Sequence, residues 1–125
     1  MTGSQARART LRGERIPIAL VVHIHDTHGV THATSVNVSL GGMQLLLEGA
    51  IAPDVSDRID LEFELPELDL PVRVAAEVRW VASGERRVGV CFVRGLRPRE
   101  VWALARLARG LAQIAPTEIF GNWNR

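Results

Sequence analysis

With 125 residues the chain is the size of one domain and can bury a substantial core. Hydrophobic residues at 46% and charged residues at 23% exclude a disordered or fibrous polypeptide, and the single cysteine, Cys91, excludes both an internal disulfide and a cysteine-rich zinc site. The net charge of +1 gives no global attraction to a nucleic-acid polymer, and no apolar segment approaches the length of a membrane span.

The chain opens MTGSQARARTLRGER, where Arg7, Arg9, Arg12 and Arg15 face one acid, Glu14. This stretch has no apolar h-region of a secretory signal, which points to a cytoplasmic protein. Residues 1–11 are small, polar, basic and aperiodic, and are expected to form a flexible arm before a folded domain at 12–115. From Ile16 the pattern has period two. Ile16, Ile18, Leu20, Val22 and Ile24 fall on one face, and Ala19, Val21, His23 and His25 on the other, as in a half-buried strand. His28-Gly29 is a candidate two-residue hairpin turn, with a return strand at about 31–38. That register sets His25 opposite His32, with His23 on the same face. Three imidazoles are then a candidate Zn²⁺ or Ni²⁺ site. An exposed polar hairpin face is the favoured reading, because the pattern places no carboxylate as a fourth ligand.

Next comes NVSLGGM, residues 37–43, in which two small polar side chains precede a glycine pair. Asn, Ser and Gly are common turn residues, and Met43, Leu45 and Leu47 resume the alternation beyond the turn. At 58–65, Arg58, Asp60, Glu62 and Glu64 alternate with Ile59, Leu61, Phe63 and Leu65, so one face is charged and the other apolar. Residues 72–81 form a further strand with Val72, Val74, Ala76, Val78 and Trp80 in one parity, which predicts packing of Trp80 in the core or at its rim. Ser83-Gly84-Glu85 turns the chain into a strand at 87–93, where Cys91 reads as a small buried hydrophobe in VGVCFV. Short strands punctuated by Gly and Pro at this spacing suggest a barrel or sandwich. At Pro98 the period changes. Leu104, Leu107, Leu111 and Ile114 repeat at helical spacing, Glu100 suits the positive end, and Pro116 ends the helix before a tail at 116–125 with Phe120 and Trp123. No nucleophile–base–acid set, P-loop, dinucleotide fingerprint or paired-carboxylate motif occurs, so neither an enzyme nor a cofactor is expected.

An arginine-rich segment ending at Arg15, the hexapeptide Asn37 to Gly42, then EVRWV and RRVGVCFV follow in this order. In this the chain resembles the PilZ domain family over roughly residues 9–112. The family pattern is RxxxR before the first strand and [D/N]xSxxG after the second. Asn37, Ser39 and Gly42 match the latter, whereas Leu11 stands four residues before Arg15, with Arg12 three before it and Arg9 six before it. The resemblance implies a mainly β fold, a six-stranded antiparallel barrel with a C-terminal α-helix. It also implies a ligand, the bacterial second messenger cyclic di-GMP, with no other cofactor. Arg12, Arg15, Asn37 and Ser39 would bind it, assisted by Arg9, Gly41, Gly42 and Trp80. The chemistry suits these residue types: guanine offers O6 and N7 to a guanidinium fork, and its N1 and N2 donors suit an amide oxygen. The implied role is that of a receptor or adaptor relaying the messenger to a protein partner in motility, attachment or exopolysaccharide control. The displaced arginines leave a second reading, a PilZ-like interaction module that no longer binds the nucleotide and acts through the helix 98–114 and the tail.

Overall fold

The computed structural model describes residues 15–49 and 53–114. The expected arm with Arg9, the adjoining Arg12, and the tail with Phe120 and Trp123 lie outside the described residues. Six strands, β1 (Val21–Asp26), β2 (Gly29–Val38), β3 (Gly42–Leu47), β4 (Arg58–Phe63), β5 (Val72–Ala82) and β6 (Arg87–Phe92), precede one helix, α1 (Pro98–Ile114). The strands pair antiparallel and close in the order β1-β2-β3-β6-β5-β4. Closure follows from the binary pattern. Each strand has one apolar side, and a cylinder lets all six turn that side inward with no edge left unpaired. Val22, Ile24, Leu45, Leu61, Val74, Val78, Val88 and Phe92 meet inside, and α1 adds Ala103 and Leu104 to this core.

The first strand begins later than the alternation suggests. Ile16 makes an isolated bridge to Val38. Pro17 then has no N–H to give a ladder. The segment is fastened instead by Ser35, a buried side chain on β2 that accepts from Leu20 N at 2.8 Å and donates to Ile18 O at 2.5 Å. Regular pairing starts only at Val21.

The hairpin between β1 and β2 also differs from expectation. Its loop is Thr27-His28, with Asp26 opposite Gly29. Asp26 Oδ1 accepts from His28 N at 2.8 Å, an Asx turn that closes the loop one residue earlier. Gly29 has φ +124°, which an L side chain rarely adopts, and so takes the first ladder position. His25 therefore faces Val30, and it is His23 that faces His32.

Two bulges shape the outer surface. One lies between Ser35 and Asn37 in β2, the other between Val78 and Trp80 in β5. An extra residue in one strand reverses the in–out sense of everything beyond it. Ala33 and Ser35 point inward, yet so does Val38, while Asn37 stays on the outer face. In β5, Arg79 and Trp80 are both exposed directly after buried Val78.

Candidate ligand-binding site

The turn between β2 and β3 is held by its own side chains. Ser39 is only 8% exposed. Its Oγ accepts from Gly41 N and donates to Gly42 O, each at 3.3 Å, while Ser39 N donates to Gly42 O at 2.8 Å. The hydroxyl thus fixes the loop, and its donor is already committed. Gly42 pairs with Cys91 across β3 and β6. A Cβ there would lie 2.1 Å from Val90 O, so the close approach that demands glycine is to the neighbouring strand. A Cβ on Gly41 would meet nothing within 4 Å.

Asn37 is oriented by two partners. Arg15 Nη1 donates to Asn37 Oδ1 at 3.1 Å, and Asn37 Nδ2 donates to Gln44 Oε1 at 3.0 Å. A guanidinium has only donors, so Arg15 fixes which way the amide faces. The Oδ1 atom keeps a second lone pair for another donor.

Arg15, Ser39, Gln44, Arg79, Trp80 and Cys91 line one open cleft of about 390 Å³ over the outer face of β3, β5 and β6. Asn37 is not part of this lining but is bonded to two of its members, Arg15 and Gln44. Trp80 is expected in the core or at its rim by its parity with Val74 and Val78; the β5 bulge turns it out, leaving it 42% exposed. Its indole lies against Gly89. A Cβ at Gly89 would fall 2.2 Å from Trp80 Nε1, so this glycine is the seat of the ring. Cys91, expected to be buried, is half-buried and faces the cleft, because Val88, Val90 and Phe92 take the inward positions of β6. Of the sequence-derived site residues, Arg15, Asn37, Ser39, Gly41, Gly42 and Trp80 are brought together here. Arg79, Gln44 and Gly89 were not foreseen. Arg79 lies in the outward parity of β5, and the bulge sets Trp80 on the same outer face beside it. Arg79 Nη1 lies 3.5 Å from Glu77 Oε1, an exposed pair that leaves the cation largely available.

The histidines do not converge. The rings of His23 and His32 meet edge to face at 4.7 Å. His25 instead donates Nε2–H to Glu62 Oε1 at 3.1 Å, and Arg73 Nη2 reaches the same oxygen at 3.3 Å. The His25 hydrogen bond is the main cause holding the Glu62 carboxyl below its ordinary range; Arg73 adds to it and partial desolvation opposes it. Among the described residues, no three His, Cys, Asp or Glu side chains come together as a metal site. Nor is any helix among them long and apolar enough to cross a membrane.

Comparison with known proteins places the family and the fold. The family model of the PilZ domain matches residues 7–113. Three solved structures share the fold. The Bacillus subtilis inhibitor of motility (MotI/DgrA) superposes with a TM-score of 0.64 at 18% identity, over 83% of this chain and 51% of that one. This chain thus spans about half the length of that protein. The PilZ domain of YcgR from Escherichia coli, solved with c-di-GMP, gives 0.63 at 18% identity over 81% and 90% of the two chains. The PilZ domain of CeSA from a cellulose-synthesizing bacterium gives 0.58 at 16% identity over 80% and 99%. No curated protein matches the chain by sequence.

Proposed function

The chain belongs to the PilZ domain family, and from that premise we propose that it is a cyclic di-GMP receptor that passes ligand binding on to a partner protein. One observation carries this reading: Asn37 and Trp80, which unbroken strand alternation would bury, are both turned outward by bulges, Trp80 into the lining of the cleft and Asn37 onto two of its lining residues, Arg15 and Gln44. The ligand brings two phosphates and two guanines. Each arginine can pair with a phosphate or lie along the O6/N7 edge of a guanine. The free lone pair of Asn37 Oδ1 suits the guanine N1 and N2 donors, and the exposed indole offers a stacking face. Ser39 and Gly42 hold the loop in shape, and Arg79 supplies a second guanidinium from a rigid strand.

Calorimetry tests this. Wild type titrated with cyclic di-GMP at tens of micromolar should release heat. A charge-assisted hydrogen bond contributes about 1.5–3 kcal/mol, so Arg15→Ala should weaken binding by about tenfold to a hundredfold. An absence of heat from wild type, or affinity undiminished from wild type in Arg15→Ala and Asn37→Ala, overturns the reading. The alternative, an interaction module without nucleotide, draws support from Leu11 at the place of the family's first arginine and from an exposed aromatic on α1, Trp102. It requires a partner contact that survives both substitutions.

A further inference from the structure

The outward side of α1 carries Arg99, Trp102, Arg106 and Arg109, all exposed. Steps of three, four and three residues set them in one stripe, about 15 Å long. The opposite side holds Ala103 and Leu104 in the core. Trp102 is 49% exposed, a large apolar surface to leave in water. The Arg106 guanidinium sits over its ring, 5.4 Å from the centroid, and Arg106 Nε is 3.5 Å from Glu67 Oε2. These two contacts hold the guanidinium in place in advance, so less freedom is lost when a partner binds. Arg99 and Arg109 are in no ion pair among the described residues. Glu100, the acid within this stretch of the helix, accepts from Arg97 N at 2.8 Å and serves the helix start. Apart from Glu67, the acids of this region, Asp54, Asp57, Asp60, Glu62, Glu64 and Asp69, lie along and beside β4.

We propose that this helix face is a docking surface for an acidic protein segment, whose carboxylates meet Arg99, Arg106 and Arg109 while an apolar side chain covers Trp102. Tryptophan and arginine are the side chains that dominate protein interfaces. The arginine fork takes carboxylates bidentately. An anionic membrane fits less well: one large apolar residue is little to insert. The stripe shares no residue with the cleft. It rests on the adaptor half of the proposed function and not on nucleotide binding.

Selection of random short peptides on the full chain tests it. Selected peptides should be rich in Asp and Glu with an apolar residue, and their binding should weaken as salt is raised. Arg99→Glu combined with Arg109→Glu should weaken a selected peptide by at least about tenfold. A carboxylate at position 99 also suits the helix start, and circular dichroism checks that the double variant is folded. Trp102→Ala should weaken the peptide while leaving all three arginines in place, with the Trp102 indole N–H signal shifting on titration of wild type. Arg15→Ala and Asn37→Ala should keep the peptide while losing cyclic di-GMP, which separates the two proposals. Failure to select any peptide, selection without acidic enrichment, or undiminished binding by the folded double variant overturns the proposal. So does tighter retention on phosphatidylglycerol vesicles or duplex DNA than on the peptide.

Discussion

Gly42→Ala isolates what the glycine pair does. The new methyl carbon would lie 2.1 Å from Val90 O and 3.1 Å from Cys91 Cα, both backbone atoms of β6. No side chain can rotate out of the way, so β3 and β6 must separate at their first rung, by about 1 Å given an ordinary interstrand spacing. Overpacking of this kind costs about 1–3 kcal/mol. Separation also stretches the Phe92 N to Gly41 O bond, now 2.8 Å, and the two bonds from Ser39 to Gly42 O. Each bond contributes about 0.5–1.5 kcal/mol net. Partial loss of them brings the total to about 2–4 kcal/mol, a fall in Tm of about 6–12 °C for a domain of this size. Gly41→Ala is the control. It meets nothing within 4 Å, so its Tm should stay within about 2 °C of wild type. Differential scanning calorimetry of the two variants decides the matter. A Gly42→Ala protein as stable as Gly41→Ala would refute the claim that the barrel, before any ligand, requires this glycine.

Gly89→Ala should behave differently. The clash there is with the half-exposed Trp80 ring, which can lift away, so stability changes little while Trp80 fluorescence shifts and cyclic di-GMP affinity falls; unchanged fluorescence would count against the ring's seat on Gly89. Ser35→Ala leaves Leu20 N and Ile18 O without their partner and should cost about 1–3 kcal/mol by urea titration; a loss below about 0.5 kcal/mol would show that water replaces the hydroxyl. Glu62 has its folded carboxyl pKa lowered by His25 first and by Arg73. Its ionised form therefore contributes stability above the unfolded carboxyl value, and that contribution is lost as the pH falls through the lower folded one. Glu62→Gln should lower Tm at neutral pH and flatten the acid limb of the Tm–pH curve, and an unaltered acid limb would contradict the pairing.

The sequence by itself determined the elements and the class. Alternation at 59–65 and 72–78, the change of period at Pro98 and the turn at Asn37 to Gly42 are local signals, and neighbouring residues suffice to set them. The PilZ pattern was legible because its loop residues are contiguous. What the tertiary structure decided was which way side chains face once strands pair. The Asx turn at Asp26 moved the hairpin register and parted His25 from His32. Bulges after Ser35 and Val78 turned Asn37 and Trp80 outward, which set Trp80 beside Arg79 at the cleft. A bulge is a mismatch between two strands distant in sequence, and one residue of slip moves every later side chain to the other face. No single strand carries that information, so the cleft exists only after the barrel has closed.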